Sequence, residues 1–362
     1  EVADRLRASV REEDTISRFG GDEFAILFRD INSYEQCEQL LIRLHQTLAE
    51  PYWIDNRRIT ISASSGVALY PMDNVDLDTL LRHADQAMYQ AKMTGRNKSR
   101  LFNPELNQQV IQKHHVVQRL REALLNDEFV LHYQPEINMR TGEIIAVEAL
   151  IRWQHPQRGL LFPGDFLTDM EGSELEFELG LWVIDSALQQ LQYWQQGGLD
   201  IVVSVNIAAN HLHAKNFIQS LQQILNRYHD IRPASLQLEI LESSALGDVT
   251  TLSRIIDDCR ERVGVLIALD DFGTGYSSLT HLRHLAANSV KIDQSFVRDM
   301  LEDASDYNIV DGVISLAKAF NRQVIAEGVE TVEHGLMLLS MGCDHAQGYQ
   351  IARPMLAQHI MN

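Results

Sequence analysis

A short apolar run, two adjacent carboxylates and a glycine-containing loop follow one another in the stretch Leu266-Ile267-Ala268-Leu269-Asp270-Asp271-Phe272-Gly273-Thr274-Gly275-Tyr276-Ser277-Ser278. The apolar run predicts a buried strand, and Gly273 and Gly275 predict a loop where that strand ends. Adjacent aspartates repel each other, so burying both near one point is costly unless a cation lies between them. Taken alone, the pair is equally compatible with Asp270 capping a helix and Asp271 facing solvent.

Length and charge limit what kind of protein this is. The chain has 362 residues, which predicts two domains, and its 45% hydrophobic and 22% charged residues are typical of a globular protein. The formal net charge of −19 argues against a broad surface for nucleic acid or for an anionic membrane. A small anionic ligand is not excluded, because bound cations reverse the field locally.

The cysteines and the ends of the chain indicate a cellular compartment. Cys37, Cys259 and Cys343 lie far apart and are odd in number, which matches neither a disulfide framework nor a zinc site and favours a cytoplasmic location. The sequence has no signal peptide and no apolar run of membrane-spanning length. Because it begins at Glu1 rather than Met, we expect a fragment whose sensor domains or membrane anchor lie upstream.

The second part of the chain alternates short apolar strands with amphipathic helices, a pattern typical of a parallel sheet. Strands are predicted at 129–134, 144–150, 201–206, 236–241, 265–270, 289–292, 323–327 and 345–349, with helices at 186–196, 217–228 and 251–261. About eight strands in roughly 250 residues predict a TIM-like (β/α)₈ barrel. Only residues 138–142 separate the first two strands, so that opening pair is predicted to be antiparallel.

Polar residues occur at or just beyond the predicted ends of these strands. In a barrel, all the carboxyl ends meet at one face, where such folds place their chemistry. Several acids gathered there would repel one another unless ions held them, so we predict a metal site. The residues are Glu148, Asn206, Glu239, Asp270, Asp271, Lys291, Glu327 and Gln347.

Five blocks in this region resemble, in order, the motifs of EAL domains, which are phosphodiesterases of bacterial signalling that act on the second messenger cyclic di-GMP. They are Glu148-Ala149-Leu150-Ile151-Arg152-Trp153, the stretch from Asp270 to Leu279, Lys291-Ile292-Asp293, Glu327-Gly328-Val329-Glu330 and Gln347-Gly348-Tyr349. The resemblance covers about residues 118–354. It implies hydrolysis of cyclic di-GMP to linear pGpG, and the alternative is an inactive receptor or scaffold that binds the same ligand.

The resemblance also implies a role for each polar residue. One metal ion would be held by Glu148, Asn206, Glu239 and Asp270, and a second by Asp270, Asp271 and Glu327. All these donors are oxygens, which suits Mg²⁺ or Mn²⁺, whereas Ca²⁺ is expected to bind and inhibit. The catalytic group would comprise Lys291, Glu327 and Glu148, and the substrate-binding group Gln134, Leu150, Arg152 and Gln347.

Two acids need separate comment. The resemblance implies that Glu330 anchors the loop at 272–278, and the alternative is a surface glutamate at a helix start, where the helix dipole favours it. Glu239 and Glu242 both lie near the end of the fourth strand, and the flanking Leu238 and Ile240 favour Glu239 as the metal ligand. Residues 170–176 depart from the usual pattern, and we expect altered lid or partner contacts there.

The first hundred residues resemble a second family, the GGDEF domains, which are diguanylate cyclases. Arg18-Phe19-Gly20-Gly21-Asp22-Glu23-Phe24 matches the signature and predicts a glycine turn between strands. Lys92 and Arg96 are predicted to share one helical face, where the family binds nucleotide phosphates. Arg11 and Asp14 match an inhibitory product-binding motif, although a solvated turn explains them equally well.

The GGDEF resemblance starts partway through that family's pattern. The half that carries a second metal-binding Asp precedes residue 1, so we expect this segment to be regulatory, with GTP as a candidate ligand. The predicted organisation is a GGDEF part at 1–103, a linker and helix at 104–126 and an EAL domain at 127–362. We expect a homodimer formed through the EAL domain, and a bifunctional enzyme would need sequence that this chain lacks.

Overall fold

The computed structural model describes residues 1–31, 34–55, 57–71, 75–245, 249–274, 282 and 284–361, and for 34–35, 104–114 and 244–245 it describes the backbone. The chain forms two compact units, Glu1–His115 and Val116–Asn362. The division falls inside the helix Pro104–Leu125, which lies within the stretch 104–126 predicted as a linker and helix. Within the described ranges, no helix is both long and apolar enough to cross a bilayer.

The first unit contains small two-stranded sheets and helices. Its strands are β1 (Thr15–Gly20), β2 (Glu23–Leu27), β3 (Tyr52–Ile54), β4 (Arg57–Ile59), β5 (Ser65–Val67) and β6 (Ser99–Leu101). Its helices are α1 (Val2–Ser9), α2 (Tyr34–Ala49), α3 (Leu77–Met93) and the shared α4 (Pro104–Leu125). The predicted glycine turn is confirmed, because β1 and β2 pair antiparallel with Gly21 at a positive φ of 52° between them.

One prediction in this unit is wrong: Lys92 and Arg96 do not share a helical face. The helix α3 ends at Met93, so Lys92 lies in its last turn and Arg96 lies beyond it. Gly95 and Arg96 have positive φ values of 112° and 53°, a left-handed conformation that cannot continue a right-handed helix. The chain therefore leaves the helix before it reaches Arg96, so the four-residue spacing from Lys92 no longer places the two side chains on one helical face.

The second unit is the predicted barrel with its surrounding helices. Its strands are β7 (Phe129–Asn138), β8 (Ile144–His155), β9 (Gly159–Leu161), β10 (Val202–Asn206), β11 (Leu236–Leu241), β12 (Leu266–Phe272), β13 (Ser289–Ile292), β14 (Gln323–Ala326) and β15 (His345–Ala346). Its helices are α5 (Leu167–Met170), α6 (Glu174–Gln196), α7 (Ala209–Leu212), α8 (Phe217–Leu225), α9 (Val249–Asp257), α10 (Gln294–Asp299), α11 (Ala304–Ala319) and α12 (Val332–Met341). A π-helical turn covers Asp258–Val263, and 3₁₀ turns cover Pro163–Asp165, Pro233–Ser235, Glu242–Ala245 and Ala357–His359.

Eight strands close the barrel, and one of them runs against the rest. The order β7–β8–β10–β11–β12–β13–β14–β15 returns to β7, while β9 extends the sheet from β8. The strand β7 is antiparallel to both of its neighbours, β8 and β15, and the other barrel pairs are parallel. The predicted irregular barrel with an antiparallel opening pair is therefore confirmed.

The opening pair is longer than predicted, which moves Glu148. We had placed Glu148 at the end of the second strand, but β8 runs on to His155 and Glu148 lies in its middle. The extension is stabilised by antiparallel pairing, which continues to Phe129 opposite Trp153 and includes β9 on the other side. This hairpin therefore continues past the level of the acids and forms one wall of the barrel mouth.

The core explains why polar residues can face the inside of the barrel. Successive side chains of a strand point to opposite faces, so Val203 and Val205 of β10 face the helices while Ser204 between them faces inward. The helix α6 covers that outer face with a stripe of buried residues that recur every three or four positions, including Leu188 and Leu191. Burial of this apolar layer holds the strand ends, and with them the polar residues, in place.

Candidate metal centre

A buried lysine lies at the centre of the polar cluster. Lys291, on β13, is fully buried, and its Nζ lies 2.7 Å from Glu327 Oε1, 3.0 Å from Glu239 Oε2, 3.4 Å from Glu148 Oε2 and 3.9 Å from Asp270 Oδ1. Burial alone would lower the pKa of Lys291, but these carboxylates hold it well above its usual value. Lys291 is therefore a fixed positive charge surrounded by acids that lie on, or just beyond, four barrel strands.

The acids outnumber this one cation, and their pKa values reflect it. Burial, together with carboxylate repulsion, raises the pKa of Glu327 to about 8 and that of Asp271 to about 7. Burial also raises the pKa of Glu239 well above its usual value. For Glu148 burial acts in the same direction, but Lys291 and hydrogen bonds from neighbouring amides lower the pKa below its usual value. The cluster has negative charge that one ammonium group cannot offset.

The donor set fits hard divalent cations. Single ligand oxygens of Asp270, Asp271 and Glu327 lie within 4.8 Å of one another. Asp271 has a positive φ of 52°, and its N–H donates to Asp270 Oδ1 over 3.0 Å, so the two adjacent carboxylates are held at one bend. All of these donors are carboxylate oxygens, which is the chemistry that Mg²⁺ and Mn²⁺ prefer. A divalent cation here would offset the repulsion that raises the pKa values of these acids.

The side-chain amides of Asn206 and Gln347 donate hydrogen bonds to the Glu148 carboxylate. Asn206 Nδ2 donates to Glu148 Oε1 over 2.7 Å, and Gln347 Nε2 donates to Glu148 Oε2 over 2.7 Å. Gln347 Nε2 also lies 3.0 Å from Gln134 Oε1, and Gln134 Nε2 donates to the carbonyl of Ala352. The structure thus brings together four residues that the sequence placed on four separate strands.

Arg152 and Leu150 lie further along β8, beyond the acids. Arg152 follows Glu148 by four positions, which corresponds to about 13 Å along a strand. The Arg152 side chain is buried, its Nη1 donates to the carbonyl of Ile151 over 2.8 Å, and its Nε has no acceptor within the described part of the chain. A buried guanidinium with a free donor is suited to an incoming anionic or carbonyl-bearing ligand.

The structure separates the two glutamates that the sequence left open. Glu239 faces Lys291, whereas the carboxylate of Glu242 is fully buried and its Oε2 accepts the N–H of Gly273 over 3.1 Å. Glu242 therefore holds the backbone just beyond Asp271, a contact that sequence reasoning missed. This geometry supports Glu239 as the metal ligand.

The predicted anchoring role of Glu330 stays a prediction. Glu330 is exposed and lies between β14 and α12. Of the loop at 272–278, residues 275–278 lie outside the described residues, as does Leu279 of the same sequence block.

Sequence reasoning missed another acid, Glu136. It lies on β7 two residues beyond Gln134, so both face the barrel interior, and it is 1% exposed with no hydrogen-bond partner for Oε1 within the described chain. Burial, opposed by Lys291, raises the pKa of Glu136 to about 7. The predicted strand ended at Gln134, and extending the alternation by two residues would have found this position.

The residues of the glycine motif and of the Arg11–Asp14 motif lie on turns at or near the surface of the first unit. Gly20, Gly21, Asp22 and Glu23 form the tip between β1 and β2, where Arg18 Nη2 donates to the carbonyl of Gly21 over 2.6 Å. Asp14 accepts the backbone N–H of Arg11 over 2.9 Å, so that motif forms a local turn in this structure. Within the described part of this unit, no three acidic, histidine or cysteine side chains gather as a metal site.

Comparison with known proteins gives two family matches. Residues 117–354 match the family described as EAL domain, and residues 1–98 match the family described as diguanylate cyclase, GGDEF domain. The chain is 40% identical over its whole length to the bifunctional diguanylate cyclase/cyclic di-GMP phosphodiesterase MucR of Pseudomonas aeruginosa, covering 52% of that protein. It is 36% identical to the cyclic di-GMP phosphodiesterase PdeR of Escherichia coli, with 99% of this chain and 53% of that protein covered.

Solved structures show the same fold. The PaMucR phosphodiesterase in complex with c-di-GMP matches with a TM-score of 0.65 at 38% identity, over 68% of this chain and 99% of that one. The EAL domain of Mycobacterium smegmatis DcpA matches with a TM-score of 0.54 at 37% identity, over 64% of this chain and 93% of that one. The chain spans about half the length of the curated relatives it matches.

Proposed function

Because this chain belongs to the EAL domain family and carries a GGDEF segment ahead of its barrel, we propose that the barrel hydrolyses cyclic di-GMP to linear pGpG. The observation that carries the proposal is the cluster around Lys291, in which every acid that we propose as a metal ligand either contacts the lysine or lies beside one that does. The names of the relatives point to the same substrate.

Two divalent cations, Mg²⁺ or Mn²⁺, complete the proposed site. Glu148, Asn206, Glu239 and Asp270 would hold one, and Asp270, Asp271 and Glu327 the other. When bound, such ions activate water and stabilise charge on the phosphoryl oxygens.

The chain's own residues would bind and orient the substrate. Lys291 holds a positive charge beneath the acids and has N–H donors that orient the attacking water. Arg152 lies four positions along β8 from Glu148 and keeps an Nε donor without an acceptor in the described chain, so we assign its guanidinium to a phosphate of the cyclic dinucleotide. Gln134 and Leu150 would line the cleft between these points. Gln347 fixes the orientation of the Glu148 carboxylate.

Metal-dependent turnover is the test of this proposal. With Mg²⁺ or Mn²⁺ the chain is expected to convert cyclic di-GMP to pGpG, and with Ca²⁺ to bind it without turnover, because calcium is larger and coordinated less strictly. Chromatography of the nucleotide products measures the rate, and calorimetry measures binding. Binding without turnover in all three metals would instead identify a receptor or scaffold.

For the GGDEF part, residues 1–103, we propose a regulatory role, with 104–126 as linker and helix and 127–362 as the catalytic domain. The turn at Asp22 is exposed and belongs to no metal-site cluster among the described residues, which supports this role. Incubation with GTP and Mg²⁺ is expected to yield no cyclic di-GMP, while GTP is the candidate ligand that would change the phosphodiesterase rate. Sustained synthesis of the cyclic dinucleotide would contradict the proposal.

We also propose a cytoplasmic location and a homodimer formed through the EAL domain.

A further inference from the structure

We propose that Phe162 is a stacking platform for a guanine base of the substrate, placed beside Arg152 at the barrel mouth. The inference rests on the proposed function, since it assigns part of a cyclic dinucleotide to this surface. It concerns a residue outside the motifs that the sequence singled out.

The backbone of Phe162 is hydrogen-bonded on both its N–H and its carbonyl, although its side chain is open to solvent. It follows β9, which pairs with the end of β8 through Trp153 opposite Leu161. The backbone N–H of Phe162 donates to Asp165 Oδ2 over 2.9 Å, which fixes the turn into the next segment. The Phe162 side chain nevertheless remains 55% exposed, so a large aromatic ring stands at the surface on a fixed backbone.

The Phe162 ring lies over the Arg152 guanidinium, whose Nε has no acceptor within the described residues. Arg152 Cζ lies 4.9 Å from the centroid of the Phe162 ring, within range of a cation–π contact. Arg152 is 6% exposed, and within the described chain its Nε has no acceptor. A buried donor of this kind costs free energy unless a ligand satisfies it. The contact with Phe162 fixes one face of the guanidinium and leaves its edge for a ligand.

The pair belongs to the same cleft as the acid cluster. Arg152 and Glu148 are four positions apart on β8, so their side chains lie on the same face of the strand. Glu148 in turn accepts a hydrogen bond from Gln347. The Phe162–Arg152 pair is therefore continuous with the proposed catalytic site.

Distance decides which part of the substrate meets this pair. By strand rise, the Cα atom of Arg152 lies about 13 Å along β8 from that of Glu148, so the Phe162 ring beside Arg152 is displaced along the strand from the acid cluster. The planar parts of a cyclic dinucleotide that extend away from its phosphates are its bases. An exposed aromatic ring beside an arginine is the surface on which nucleobases stack.

The test compares Phe162→Ala with Phe162→Tyr, which retains a ring. In Phe162→Ala we expect the KM for cyclic di-GMP, and the Kd measured by calorimetry with Ca²⁺, to rise about tenfold, with kcat within about twofold. Hydrolysis of bis(p-nitrophenyl) phosphate, a phosphodiester without a purine, should be unchanged. Phe162→Tyr should bind as the parent does. Tyr193→Ala, at the exposed C-terminal part of α6, is the matched control for loss of a surface aromatic ring.

Three outcomes would overturn the platform: an unchanged Kd in Phe162→Ala, an equal loss in Tyr193→Ala, or a similar loss with the purine-free substrate. A different set of results would refute the proposed phosphodiesterase function. If the parent binds cyclic di-GMP through Phe162 but hydrolyses none with Mg²⁺ or Mn²⁺, the platform is supported and the phosphodiesterase proposal is refuted. A parent that binds no cyclic di-GMP would refute both.

Discussion

Glu148→Ala is expected to lower turnover of cyclic di-GMP by more than about a hundredfold, since even residues one layer outside a metal site cost about 10- to 100-fold when removed. Glu148 accepts N–H groups from Asn206 and Gln347 and lies 3.4 Å from Lys291 Nζ. Its removal takes away a proposed metal ligand and also leaves both amides without their acceptor. The loss should therefore appear in kcat and in the affinity for Mn²⁺ together.

Two variants separate the causes of that loss. Glu148→Gln keeps the shape of the side chain but not its charge, so it should lose turnover while keeping most of the stability. Arg152→Ala should mainly raise the KM, because Arg152 lies beyond the acids and contacts none of them. Steady-state kinetics with Mn²⁺ measures both parameters. Equal residual rates in Glu148→Ala and Arg152→Ala would contradict the assigned roles.

Lys291→Met is expected to destabilise the metal-free barrel by roughly 3–5 kcal/mol, the usual cost of removing one partner from a buried ionic network. Methionine fills similar space without charge, so Glu148, Glu239, Glu327 and Asp270 would lose their shared cation. The loss should grow as pH rises. Carboxyl groups whose pKa is raised in the folded state bind protons at lower pH, and folding stability falls as those protons are lost.

Mn²⁺ should restore much of this stability, because it supplies the positive charge that the variant lacks. Urea unfolding in EDTA and in Mn²⁺, at pH 6 and pH 8, measures the effect. Lys215→Met is the matched control, since Lys215 is exposed, and its effect should stay within about 0.5 kcal/mol. A Lys291→Met variant as stable as this control in EDTA at pH 8 would show that the acids do not depend on the lysine.

Periodicity in the sequence was enough to predict the barrel. Alternating strands and helices predicted parallel pairs, and a link of a few residues at 138–142 predicted the antiparallel exception, which the pairing of β7 with β8 confirms. The acids were found for the same reason, because residues such as Asp270 interrupt apolar runs near strand ends. In each case a short local pattern determines the position of the residue in the fold.

The features that were missed depend on contacts between segments distant in the sequence. Glu148 was placed at a strand end because its local sequence does not show that β8 gains pairing from both β7 and β9. Arg96 was placed on a helix because spacing alone ignores the reversal at Gly95. The contact of Glu242 with Gly273 and that of Phe162 with Arg152 each join two loops or strands whose relative position only the closed barrel sets.

The most direct test of the cation requirement is anomalous diffraction from crystals grown with Mn²⁺ at a concentration that supports turnover. Two peaks are expected at the barrel mouth, one within ligand distance of Glu148, Asn206, Glu239 and Asp270, and one within ligand distance of Asp270, Asp271 and Glu327. If the protein turns over cyclic di-GMP with Mn²⁺ but its crystals show no Mn²⁺ peak at the barrel mouth, the proposed cation requirement would be contradicted.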